Sequence, residues 1–245
     1  MRLYYMTSLE TLEQYILPEL RVRLSTFDKV NDPFELLGTS QSSRADRRHF
    51  ASLYNNWVKT LGFVSFSDNW KSPLMWGHYA RNHTGVCLGV EVPDDRVVRM
   101  NYEPDRLEFL LEMSPLDAVV DQDAIKKVVT TKFKEWEYER EWRYLASLEN
   151  KDEDTGLYYV YFSPHFELRE IIVGARCERS LEDIRKQVFG NTATITMIKA
   201  RAAFGTFSIV RQKMQNLLTV SPLHQIYGPS AKALKKARRQ GAQRK

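Results

Sequence analysis

The stretch KEWEYEREWRY, residues 134–144, carries four acids and three bases with aromatic rings between them. Glu139, Glu141 and Arg143 recur at spacing two. If Glu137 to Tyr144 is extended, alternation puts these three on one face and Tyr138, Arg140 and Trp142 on the other. Two carboxylates two residues apart on a strand repel unless a cation or a substrate lies between them. One of them can then have a raised pKa, as in acid/base sites. The bland counterpart is a buried ion network in which Arg143 and Arg140 neutralise the acids. A helix would instead pair Glu139 with Arg143 at i,i+4, a surface contact worth a few tenths of a kcal/mol.

A second group lies in PLMWGHYARNH, residues 73–83. At helical spacing Trp76, Tyr79, Ala80 and His83 share one side, and Leu74, His78 and Arg81 lie on another. Such a helix is packed on more than one side or lines a cleft. Either Trp76, Tyr79 and one histidine are core residues, or Tyr79 with His78 or His83 positions a ligand. His78 and His83 are five apart and miss the i,i+4 spacing that sets two imidazoles on one metal, so no metal site is expected. NDPFE offers Asn31, Asp32 and Glu35, for which Asx-turn formation before a proline is sufficient explanation. SFSDN, residues 65–69, ends a strand in hydroxyls and an amide. The chain has no phosphate loop, no GxSxG elbow and no HExxH.

These groups must be held by a scaffold, which the periodicity outlines. RLYYM reads as a strand, and TSLE as a capping box from Thr7 to Glu10. A helix follows and ends at Pro18, and LRVRLST is a second strand. Residues 45–60 have helical spacing, and GFVSFS is a strand. Pro73 opens a helix of about three turns. TGVCLGVEV is apolar on both faces, as a central strand is. VVRMNYE is another strand, residues 121–134 look helical, and YEREWRYLAS, LYYVYF and LREIIVG are strands. LEDIRKQVF is a helix, and ATITMIKA and TFSIVRQ are strands. Eight or nine strands and four or five helices, with no repeat and no regular βαβ alternation, imply α+β: one domain over residues 1–220 with a central mixed or antiparallel, possibly split, sheet flanked by helices.

Composition narrows the class. Hydrophobic residues make up 43% and aromatics 12% of 245 residues, enough for a core. No run approaches the roughly 18 apolar residues of a membrane span, and the N-terminus lacks the apolar block of a signal peptide, so a cytoplasmic protein is expected. Cys87 and Cys177 sit in apolar contexts and read as reduced, buried thiols. The net charge of +5 comes from the end of the chain. Residues 230–245 hold seven bases and no acid, whereas residues 1–229 hold 29 bases against 31 acids, a net of −2. Residues 221–245 thus form a basic tail, either a frayed terminus or an anchor for nucleic acid through Lys232, Lys235, Lys236, Arg238 and Arg239.

The order LYYMTS, NDPFE, SFSDN, MWGHYARNHTGVCLGVEV, WEYEREWR and EIIVG resembles the bacterial family called domain of unknown function 2971, over residues 3–174. The resemblance implies a bacterial protein, some relatives of which lie near anti-phage or mobile genes, and hence a cytoplasmic, conditionally toxic effector. The order of segments is also similar to that of ADP-ribosyltransferases. That similarity implies NAD bound in a cleft of a split antiparallel sheet. Tyr4, Tyr5 and Thr7 would match the first segment, with Tyr5 where many such enzymes place His. Trp76 and Tyr79 would match the aromatic stacked on nicotinamide, and Glu139 or Glu141 the catalytic glutamate. A carboxylate there would stabilise the oxocarbenium-like sugar left when nicotinamide departs, and Arg143 or Arg81 would hold the pyrophosphate bidentately. His78 is the accompanying acid/base candidate.

Three functions are therefore expected to compete. One is an ADP-ribosyltransferase-like enzyme using NAD, with Glu139, Glu141 and His78 catalytic and Tyr5, Thr7, Trp76, Tyr79 and Arg143 binding the cofactor. The second is a metal-independent or metal-assisted nuclease, with His78, His83, Asp32 and the glutamates as acid/base groups or ligands. The third is a non-catalytic sensor of a nucleotide or nucleic acid. The charged strand would line one wall of a cleft and the MWGHY helix the other.

Overall fold

The structure is a computed structural model. It describes residues 1–30, 32, 34, 43, 44, 47, 48, 50, 51, 55, 59–107, 122–190 and 193–222. Asn31, Glu35, most of the stretch 45–60 and the whole basic tail from 223 on lie outside the described residues. The fold is α+β, with a mixed sheet of many strands and a few short helices. No helix among the described residues is long and apolar enough to cross a membrane. The chain falls into two compact units, each assembled from separate segments.

The first unit comprises Met1–Val22, Phe66–Asp94 and the chain from Val160 on. Its sheet has β1 (Arg2–Thr7) beside β5 (Val86–Glu91), then β11 (Glu167–Val173), β12 (Ile195–Ala202) and β13 (Ile209–Arg211). β14 (Leu218–Val220) also pairs with β12. Only β11 and β12 run parallel among these pairs. β5 is central and covered on both faces: Val86, Cys87, Leu88 and Val90 are wholly buried, as its unbroken apolar run requires. β2 (Arg21–Arg23) pairs with β10 (Tyr159–Tyr161), and Arg21 Nη1 donates to the Tyr161 hydroxyl at 3.2 Å.

The second unit comprises Arg23–Ser65 and Asp95–Tyr159. Here β3 (Ser25–Thr26), the start of β4 (Leu61–Ser67), β9 (Glu141–Ser147) and β6 (Val97–Arg99) lie in that order. β7 (Asn101–Glu103) runs parallel to β8 (Thr131–Phe133). Phe27, Phe63, Val64, Val97, Met100, Val128 and Val129 form its core.

Several local expectations are corrected. The stretch Glu137 to Tyr144 is not one strand. Lys134–Glu139 is a 3-10 helix that ends at Arg140, which is left-handed (φ 49°), and only Glu141–Ser147 is extended. The helix expected over 121–134 stops at Val129, because the Thr130 and Thr131 hydroxyls turn back onto the Lys126 and Lys127 carbonyls at 2.7 Å each. Such back-bonding competes with helix continuation. The N-cap near the start is Ser8, not Thr7: its hydroxyl accepts from the Thr11 N–H at 2.9 Å. That helical stretch runs past Pro18 to a left-handed Leu20, its middle turn widened to a π-helix over Leu12–Ile16. VVRMNYE is two strands, broken where the Met100 N–H turns to the Glu141 carbonyl. The Ser72-capped helix does start at Pro73 but ends at Tyr79, after two turns. Fourteen strands are formed among the described residues, more than the eight or nine expected, because short pieces pair at the sheet margins.

Candidate functional site

The residues singled out in the sequence fall into two groups, one in each unit. In the second unit Glu139, Glu141 and Arg143 are 4%, 3% and 1% exposed. Alternation along β9 sends Glu141 and Arg143 inward together. Arg143 Nε donates to Glu141 Oε1 at 2.8 Å, and Nη1 donates to the Val129 carbonyl at 2.8 Å. The guanidinium carbon lies 4.5 Å from the Phe63 ring centre, so the cation is packed on an aromatic face. Lys132 completes the neutralisation, with Nζ 2.7 Å from Glu139 Oε2 and 3.3 Å from Glu141 Oε2. The Ser65 hydroxyl donates to Glu141 Oε1 at 2.6 Å, and the Glu141 N–H donates to the Tyr102 hydroxyl at 2.7 Å.

Burial alone would raise the Glu141 carboxyl. The Arg143 and Lys132 charges and the hydrogen bonds from Arg143 and Ser65 outweigh it and hold the group down at about 2. Glu141 is therefore a fixed anion. Burial pushes the Tyr102 phenol up to about 12, so it stays a neutral partner. The network is the ionic one weighed against an acid/base site above, with Lys132 in the place expected of Arg140, which is exposed. Lys132 escaped notice because it precedes the charged stretch by two residues. Its lone position in TKF carried no periodic signal.

The first unit holds Tyr5, Thr7, Trp76, His78 and Tyr79. Trp76 is wholly buried, and its indole N–H donates to the Trp70 carbonyl at 2.6 Å. Tyr5 is half-buried and stands edge-on to Phe66, with ring centres 6.2 Å apart. His78 and Tyr79 reach a hollow of about 570 Å³ together with Ser8, Thr11, Gly77, Arg81 and Asn82. A groove of about 750 Å³ shares Ser8 and Arg81 with that hollow and continues past Thr84, Arg176, Arg179 and the acids Glu10, Glu178 and Asp183.

The backbone between them is unusual. Arg81, Asn82 and His83 all have positive φ, 48°, 53° and 70°. A left-handed conformation costs a non-glycine residue of the order of 1–2 kcal/mol, and three in succession stay only if their surroundings fix them. The fixing contacts are visible. The His83 N–H donates to the Trp76 carbonyl at 3.1 Å, and the Thr84 hydroxyl donates to the Arg81 carbonyl at 2.6 Å. The Arg176 N–H donates to the His83 carbonyl at 3.0 Å, which ties the start of the Arg176 loop to the turn. Two glycines permit the approach. A Cβ on Gly85 would lie 2.3 Å from the Thr7 carbonyl oxygen, and one on Gly174 would lie 2.3 Å from the His83 carbonyl oxygen.

The outcome is a groove with Arg81 and Arg176 held on braced backbone. Among the described residues neither guanidinium forms an ion pair, whereas Arg179 is already held by Glu13 at 3.1 and 3.2 Å. Partial burial and the Arg176 charge both lower the His83 pKa. Such a surface can receive an anion bidentately. No group of three or more His, Cys, Asp or Glu side chains that could hold a metal occurs among the described residues. Ser8 and Arg176 were missed in the sequence. The signal for Arg176 was a glycine closing a strand, EIIVGAR, which marks a close backbone approach. The chain matches no protein-family model, no curated protein and no solved structure.

Proposed function

We propose that the chain is a cytoplasmic nucleotide-binding protein that takes the phosphate groups of its ligand in the Arg81–Arg176 groove. The observation that carries this reading is the run of three left-handed residues, Arg81 to His83, braced so that Arg81 faces the groove. Strain of this kind gathers at ligand clamps. The groove of about 750 Å³ is within the range of small-molecule sites, and two guanidiniums with no ion pair among the described residues suit a pyrophosphate. Tyr79 and His78, in the adjoining hollow, offer rings to a base or sugar. ADP and NAD share the diphosphate and are both candidate ligands.

The binding-only form of this reading is favoured over an ADP-ribosyltransferase. Against the transferase weigh the burial of Glu139 and Glu141 and their neutralisation by Lys132 and Arg143. A glutamate stabilising an oxocarbenium ion must face the sugar. Thermal unfolding with and without ligand tests the reading: ADP or NAD at a hundred times its Kd adds about 2.7 kcal/mol of stability. The wild type should show that shift with no nicotinamide released from NAD. Release of nicotinamide would move the protein to the transferase class, and no shift with either nucleotide would remove the reading.

A further inference from the structure

One surface of the first unit lies outside the Arg81–Arg176 groove: the tip of the hairpin between β12 and β13. Phe204 and Phe207 in AAFGTFS are 95% and 102% exposed, and Met214 in the turn that follows is 93% exposed. Burying a phenylalanine ring is favourable, so two rings standing in water on one four-residue tip mark a surface that a partner can cover. The charge around them indicates its chemistry. Residues 195–222 contain Lys199, Arg201, Arg211 and Lys213 and not one acid. The Arg201 guanidinium carbon lies over the Phe204 ring, 4.3 Å from its centre, so a cation and an exposed ring sit together at the tip.

Exposed rings interleaved with bases suit single-stranded nucleic acid. Its unstacked bases lie on aromatic faces while the phosphates meet Arg and Lys. A duplex keeps its bases stacked and offers the rings nothing. An anionic lipid surface also attracts bases and rings, but the tip between the rings is Gly205 and Thr206, with Ser208 after them, where insertion among acyl chains would favour apolar neighbours. We propose that the β12–β13 hairpin tip is a stacking platform for single-stranded RNA or DNA, with Arg201 beside the rings and exposed Lys213 farther along the hairpin neutralising its phosphates.

The test is fluorescence anisotropy of labelled U15, T15 and a 15-base-pair duplex with the full-length protein and its Phe204→Ala, Phe207→Ala double variant. Both side chains are solvent-exposed, so the variant should keep the wild-type melting temperature. Stacking is worth tenfold or more per ring, so U15 or T15 should bind the variant about 100-fold more weakly, with the duplex affinity moving less than about twofold. Preference for U15 or T15 in the wild type names the nucleic acid. Equal affinity of both proteins for both single strands overturns the proposal and leaves any binding to the basic tail. So does loss of binding to phosphatidylglycerol vesicles without loss on the oligonucleotides, which makes the tip a lipid contact.

Discussion

Glu141 and Arg143, two residues apart on β9, meet at 2.8 Å through Arg143 Nε in an interior where both are almost fully buried. Strand alternation places them side by side, and the packing of Arg143 on Phe63 holds the cation in place. Removing one partner leaves the other charged and unpaired in the core. Arg143→Ala is therefore expected to cost about 3–5 kcal/mol, read from urea denaturation of the purified variant. Ser65→Ala removes one hydrogen bond to the same carboxylate and is expected to cost about 1.5–3 kcal/mol.

The same carboxylate sets the acid limit of the fold. Its pKa is lowered from 4.5 to about 2 in the folded chain. The ionised form is thus favoured by folding. Its contribution is complete above pH 4.5 and is lost as pH falls through about 2. By linkage it amounts to roughly 3 kcal/mol. Denaturation midpoints measured from pH 6 down to pH 2 should fall for the wild type. The fall should be shallower for Glu141→Gln, which starts less stable.

Arg140 closes the 3-10 helix in the left-handed region, at φ 49°. It is exposed and lies outside the proposed groove, and a glycine there escapes the steric penalty. Arg140→Gly is expected to leave stability unchanged or raise it by about 1 kcal/mol, despite the added freedom of the unfolded chain. Calorimetric melting checks this, and a drop above that size would mean that the Arg140 side chain holds the turn.

Cys87 is wholly buried on β5, and burial together with the Glu170 charge raises its thiol well above its ordinary value. Cys177 is also buried and free. Cys87 should not react with a chromogenic disulfide reagent at neutral pH until the protein unfolds. Rapid labelling of Cys87 in the native state would contradict the central place of β5.

The sequence carried the α+β class because strand alternation and apolar runs are local signals. The β5 run and the Pro73 start emerged directly from them. The charged stretch was legible as chemistry but not as geometry. Spacing two is the same in an ion network and an acid/base site, and only the position of Lys132, brought in by a different strand, separates them. The Arg81 turn was invisible because ARNH reads as a continuing helix. What ends that helix is tertiary: His83 turns back onto Trp76, and Gly85 and Gly174 let two backbones touch. Left-handed residues other than glycine leave little local trace.

The measurement that bears most directly on function is a calorimetric titration of ADP into the wild type, Arg81→Ala and Arg176→Ala proteins at low salt. Both arginines are exposed, so neither variant should lose its fold. Charge-assisted bonds to phosphate are worth about 1.5–3 kcal/mol each, so each variant should bind ADP roughly 10- to 100-fold more weakly. Binding of equal strength to all three proteins, or none to the wild type at millimolar ADP, would contradict a phosphate site in the Arg81–Arg176 groove.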